Sequence, residues 1–213
     1  MKKKLVKVVL ALVVVAVAGF LFIRSVKEST AEPFTVQSGH LNGWTLGLGD
    51  RTDATAPLLM LYGPPAFVDE ISKQIFKRVM ESLSSPAGAA IPLLLRGEFD
   101  RSFAGRLTPE QIVGIARKAG LGAGPVTPRC LAHRHTSDTS GARQVYFVLF
   151  DMPGFAQFRR ELAAVSGNAT FQPDVLSPAA VVGMVQSPVD YWMPLSADPA
   201  RDCEAPLVAS GAR

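Results

Sequence analysis

The run Met60-Leu-Tyr-Gly-Pro-Pro-Ala-Phe67 and the run Val148-Leu-Phe-Asp-Met-Pro-Gly-Phe155 follow one pattern. Each has an apolar stretch ending in an aromatic residue, then a proline-bearing turn, then a phenylalanine opening an amphipathic segment. In the first segment Phe67, Val68, Ile71, Ile75, Phe76, Val79, Met80 and Leu83 form a stripe of helical period; in the second, Phe155, Phe158, Leu162 and Val165 do. An apolar strand follows each helix, over Ala89–Leu95 and Ala180–Val185. Ahead of the first helix, Thr35–Gln37 and Trp44–Leu48 read as short strands around a Ser-Gly-His-Leu-Asn-Gly turn, followed by the apolar strand Pro57–Tyr62; ahead of the second, Arg129–His135 and Gln144–Phe150 read as a hairpin. Between the two units, Thr108-Pro109-Glu110-Gln111 carries an N-cap, a proline at the first helical position and a capping-box glutamine. A helix over 108–119 ending at Gly120 is therefore expected. Since a helix must bury its stripe on something, each unit should lay its helix on a sheet. The expected fold is α+β, a duplicated ferredoxin-like sandwich (ββαβ-α-ββαβ) with lobes at 34–100 and 125–195 within a domain spanning 34–195.

Before this domain, Val8 to Ile23 is uncharged, and Leu5 and Val6 extend the run behind Lys2, Lys3 and Lys4. A bilayer core needs roughly 20 apolar residues as helix. The sequence thus predicts a transmembrane helix over Leu5–Ile23, with residues 1–4 as a cytoplasmic head and 24–33 as a juxtamembrane linker. The lysines place the N-terminus in the cytoplasm, which puts the domain in the periplasm or another extracytoplasmic space of a bacterial-type inner membrane. Ala16-Val17-Ala18 also suits signal-peptide cleavage, although the apolar run continues past it to Ile23.

The formal net charge of +4 arises from this segment. Residues 1–27 hold six basic side chains and no acidic ones, which leaves 16 basic against 18 acidic in the remainder. A nucleic-acid partner is not expected, because such binders concentrate positive charge on the folded part. The doublets Lys77-Arg78 and Arg159-Arg160 read as solvated helix faces. Cys130 and Cys203 are the only cysteines, and in an exported chain they are expected to pair as a disulfide. Ala, Pro, Asp, Gly and Ser dominate from Ser196 onward, so 196–213 reads as a flexible tail.

The densest group of reactive residue types is Cys130-Leu-Ala-His133-Arg-His135-Thr-Ser-Asp138. On a strand, His133 and His135 share a face, and Asp138 can curl back from the following turn. With His40 they could hold Zn²⁺ or another transition metal; otherwise no cofactor is expected. Glu98 and Asp100 flank a strand end beside Arg96 and Arg101, a pattern of salt-bridged loop residues more than of paired catalytic acids. The chain has no Gly-x-Ser-x-Gly elbow, His-Glu-x-x-His helix, phosphate-binding Gly-x-x-x-x-Gly-Lys loop or Cys-x-x-Cys pair.

These patterns predict a membrane-anchored extracytoplasmic subunit that binds the bilayer through Leu5–Ile23 and a protein partner of a membrane or envelope complex. Tyr191, Trp192 and Pro194 are the candidate contacts. The alternatives are a metal-assisted hydrolase acting at the membrane or envelope, using the histidines, and a small-ligand sensor.

Overall fold

In the computed structural model, residues 13, 17–20, 32–50, 56–80, 82–138, 141–167, 170–185 and 192–211 are described, with backbone alone for 136–138 and 141–143. The chain divides into Met1–Glu32 and Pro33–Arg213. The expected membrane anchor is corrected here. Among the described residues no helix is long and apolar enough to cross a membrane. Most of Leu5–Ile23 lies outside the described residues; its longest described stretch is the helical residues 17–20. The single-pass topology, the bilayer as partner and the periplasmic placement all rested on that span, and they fall with it.

Pro33–Arg213 is α+β. Its strands are β1 (Phe34–Gln37), β2 (Thr45–Leu48), β3 (Pro57–Tyr62), β4 (Leu83–Ser84), β5 (Ala90–Leu95), β6 (Thr127–Asp138), β7 (Gly141–Asp151), β8 (Ala179–Val185) and β9 (Cys203–Ser210). Its helices are α1 (Pro65–Val79), α2 (Arg96–Ser102), α3 (Pro109–Lys118), α4 (Pro153–Ser166) and α5 (Pro199–Asp202). One sheet runs β1-β9-β6-β7-β8-β4, mixed because β1 and β9 are parallel; the other runs β2-β3-β5. The strand-strand-helix-strand pattern recurs, with β3 between β2 and β5 and β7 between β6 and β8.

The arrangement is nevertheless not a ferredoxin-like sandwich, whose helices join parallel strands of a split βαβ unit. Here α1 and α4 each join adjacent antiparallel strands. After each helix a further segment, 80–89 or 167–178, turns the chain again before the next strand. The first of these segments contributes β4, which pairs with β8 and so ties the first unit to the second unit's sheet.

Within this sheet β7 and β8 are buried on both faces, which accounts for the near-continuous apolar runs Val145–Phe150 and Ala179–Val185. Tyr146, Val148 and Phe150 face the main core, which contains Trp44, Phe67 and Phe158. Val145, Phe147 and Leu149 face a second cluster with Cys130, Val181 and Leu195. Trp44, Phe67 and Phe150 meet at centroid distances of 5.3–5.7 Å, which joins the first unit's helix to the second unit's strand. At the start of α4, Gly154 lies so close to the end of α3 that a Cβ there would sit 2.3 Å from the Ala119 carbonyl oxygen.

In place of the expected flexible tail over 196–213, the described residues 196–211 contain α5 and β9. Cys203, Ala205 and Leu207 alternate with exposed residues along β9, which runs between β1 and β6. The period-two pattern, hidden by the small-residue composition, supplies an inward face. Ahead of β9, Ser177 N–H donates to the Leu195 carbonyl at 2.7 Å, and Ala197 N–H donates to Ser177 Oγ at 2.9 Å. The Cys130–Cys203 disulfide is present, with a Cα–Cα distance of 5.7 Å across a 73-residue separation. Beside it, Asp202 is buried. Arg201 donates to its carboxylate at 2.8 and 3.1 Å, while the Asp198 N–H at 2.9 Å and Arg134 also donate to it. The Arg201 bonds chiefly, with the Asp198 and Arg134 donors, hold this carboxyl well below the usual range against the upward pull of burial.

Arg159 is fully buried, contrary to the solvated role its doublet suggested. Nε donates to Pro173 O at 2.7 Å, Nη1 to Leu93 O and Glu98 Oε2 at 3.2 Å each, and Nη2 to Glu98 Oε1 at 2.7 Å and Gln172 O at 2.8 Å. These bonds occupy all five donors of a guanidinium. Glu98 Oε2 also accepts from Leu95 N–H at 2.9 Å, which caps α2. Glu98 is therefore a buried structural partner, not a loop acid.

Three stability measurements follow from these contacts. Cys203→Ser is expected to lower the unfolding free energy in urea by about 4 kcal/mol, the scale set by closing a loop of this length. Arg159→Met should cost about 3–5 kcal/mol in the same titration by stranding Glu98, and adding Glu98→Gln should recover part of the loss. Since the folded pKa of Asp202 lies below its unfolded value of about 4, its contribution is complete above pH 4 and is lost as pH falls further. Asp202→Asn should accordingly lower the thermal midpoint at neutral pH and flatten its decline on the acid side of pH 4.

Candidate functional site

The predicted metal residues separate into two places. His133 and His135 lie together on β6, with ring centroids 4.7 Å apart. His133 stacks on Tyr146, its cross-strand partner, at 4.4 Å and 13°. Its Nδ1 lies 3.0 Å from Glu204 Oε1 on β9. The ring thus packs between neighbouring strands, and its Nε2 is buried without a hydrogen-bond partner among the described residues. His40 pairs instead with Glu70 of α1, Nδ1 to Oε2 at 2.8 Å. The Asp138 side chain lies outside the described residues. Among the described residues no group of three or more His, Cys, Asp or Glu side chains could hold a metal ion. Of the predicted interface aromatics, Tyr191 lies outside the described residues, Trp192 is half-buried and Pro194 is exposed.

The surface that distinguishes this body is α1, which presents three different faces. Phe67, Val68, Ile71 and Ile75 are fully buried, and Pro65 in the first turn fits the helix start. Glu70, Gln74 and Arg78, spaced by four, point along β1. Glu70 accepts from Gln37 N–H at 3.0 Å. Gln74 accepts from Thr35 N–H at 3.0 Å and donates to Thr35 O at 2.7 Å, as a neighbouring strand would. Arg78 donates to Pro33 O at 3.0 Å. Four helical residues rise about 6 Å and two strand residues about 6.6 Å, so the two repeats stay in step. The outer edge of β1 is covered by its own chain and is no longer a template for another strand.

The third face points away from the core. Lys73, Phe76, Lys77 and Met80 recur at helical spacing. Phe76 is 51% exposed, Val79 41% and Met80 76%. The sequence stripe assigned these three to the core, but the buried layer ends at Ile75. Within Pro33–Arg213, six large apolar side chains are exposed among the described residues, and half of them fall in this one five-residue stretch. Met80 also ends the helix in the left-handed region, at φ 57°, and its N–H donates to Phe76 O at 2.8 Å. That conformation ordinarily takes glycine, and a methionine there carries strain of order 1 kcal/mol. Lys73 and Lys77 are exposed, and neither forms an ion pair among the described residues. On its β1 side the helix borders an open groove of about 500 Å³ lined by His40, Asp69, Glu70, Lys73, Gln74 and Lys77.

No protein-family model matches this chain, and neither a curated protein nor a solved structure matches it.

Proposed function

We propose that Pro33–Arg213 is a protein-recognition domain. It binds an apolar segment with acidic neighbours, contributed by another protein, on the outer face of α1. The observation that carries this reading is the coincidence at Met80: a large apolar side chain is held in solvent at a backbone position where it also costs strain. Isolated exposed apolar residues need no explanation, but here Phe76, Val79 and Met80 adjoin one another on one helix end. Aromatic residues and methionine are enriched in interface cores, and methionine adapts its shape to a partner. The bare Lys73 and Lys77 on the same face select the partner's charge, since complementary charge steers encounter and excludes like-charged competitors. The domain, on this reading, binds rather than transforms.

The membrane-bound assembly role and the metal-assisted hydrolase are not carried forward, since the described residues contain neither a spanning helix nor a metal-ligand cluster.

Display selection of random peptides against the purified full chain, followed by titration of the winners, tests the proposal. Enrichment of peptides combining acidic with large apolar residues is expected. Their affinity should fall about tenfold or more in Phe76→Ser, consistent with loss of an aromatic anchor, and should weaken with added salt. Met80→Gly separates the site from the fold. It relieves the left-handed strain, so the thermal midpoint should hold or rise while peptide affinity falls. Winners that bind both variants as well as they bind the parent chain would overturn the reading. So would a dimer that Phe76→Ser converts to monomer, because the face would then belong to a second copy.

A further inference from the structure

A second open depression, of about 410 Å³, has the disulfide in its wall, between Arg129, Glu204 and Pro206 on the strands and Pro199 and Ala200 of α5. The two sulfurs are not equivalent. Cys130 is buried at 4% exposure in the cluster with Ala132 and Phe147, whereas Cys203 is half-exposed at the start of β9. Both cysteines line the depression, and Cys203, the more exposed of the two, offers the larger surface to a thiolate arriving there.

The ladder across the bond is short. Only Cys130–Ala132 of β6 pair with β9, and the register shifts between Leu131 and Ala132. Cys203 sits at the end of that ladder, opposite Ala132. The chain on its N-terminal side is held independently, by Arg134 donating to Ser196 O at 3.0 Å and to Asp202. Opening the disulfide thus frees one bond at a strand end without removing the contacts that keep α5 and β9 in place.

We infer that the Cys130–Cys203 bond is a modification site that exchanges with low-molecular-weight thiols in the folded protein, always at Cys203. The incoming thiolate forms a bond to Cys203 Sγ as the Sγ–Sγ bond breaks, and the electron pair leaves on Cys130, which takes a proton from water. The product is a mixed disulfide on Cys203 with a free thiol at Cys130. Because Cys130 stays beside Cys203, its thiolate can attack the adduct, expel the small thiol and restore the original bond. The structure thus assigns one attachable position and one resident resolving thiol, without any further oxidant or reductant.

The test uses the full chain in non-denaturing buffer, with excess reduced glutathione as the probe. The reaction is quenched with acid and then an alkylating agent, and the intact mass and the cysteine-bearing peptides are measured. One glutathione per chain is expected, on Cys203 over Cys130 by at least about tenfold, with Cys130 found alkylated. Removing excess thiol before the quench should return the disulfide and discharge the adduct. A chain that reacts only after denaturant is added, or that carries glutathione equally on both cysteines, would overturn the inference. Far-ultraviolet circular dichroism through the reaction separates native exchange from unfolding: adduct that appears only as the spectrum collapses also overturns it.

Discussion

The guanidinium of Arg159 is where the two strand-helix-strand units become one body. It projects from α4 of the second unit and reaches Leu93 of β5 and Glu98 of α2, both continuous with the first. Its remaining donors hold the carbonyls of Gln172 and Pro173, in the segment that turns the chain before β8. A buried charge of this kind is tolerable only when all its donors are engaged and its counter-charge is placed. Once that condition is met it fixes the separation and angle of the groups around it, because a planar fork accepts little distortion. Lysine, a point charge with three donors, would not hold these four partner residues with five bonds. The ring of Phe171 under the same guanidinium, 4.8 Å from its centre, adds an apolar floor.

With that junction fixed, the remaining layers follow from covering apolar surface. β7 and β8 are apolar on both sides, and the main core serves one side only. Something must cover the other. The chain after β8 does so, laying Leu195 on Phe147 and Val181 and then inserting β9 beside β6. The disulfide and the buried Asp202 both lie where this covering segment joins the sheet. Residues 192–211 are therefore a layer of the fold, despite being poor in large side chains.

Much of the local grammar was legible because it depends on neighbours in sequence. The Thr108–Gln111 capping box forms in both directions, with Thr108 Oγ accepting from Gln111 N–H at 3.3 Å and Gln111 Oε1 accepting from Thr108 N–H at 2.8 Å. The alternation along β6 brings His133 and His135 together as the spacing required, and the two cysteines pair. What the sequence did not disclose depends on long-range partners. Nothing in Arg159-Arg160 distinguishes the buried arginine from its solvated neighbour; the difference is a glutamate 61 residues away. His133 looked like a metal ligand because its cross-strand partner Tyr146 and its neighbour Glu204 lie in other segments. The small residues of β9 concealed a period of two, and the similarity of the two units predicted a split βαβ order that the segments after each helix reverse.

The same distinction explains why α1 was misread at its outer end. Periodicity marks where a helix is apolar, but it does not say how far the cover extends. Over Phe67–Ile75 the stripe faces the sheet. From Phe76 to Met80 it rotates onto a surface that the described chain leaves open, while Glu70, Gln74 and Arg78 fasten the helix to β1 from the opposite side. Those bonds matter for the exposed face as well, because they prevent the helix from rolling to bury Phe76 at the expense of Ile75. A helix pinned on one flank, packed on a second and apolar on a third holds its open face in a single orientation. A partner docking there would therefore meet an ordered surface and would not bear the cost of ordering it.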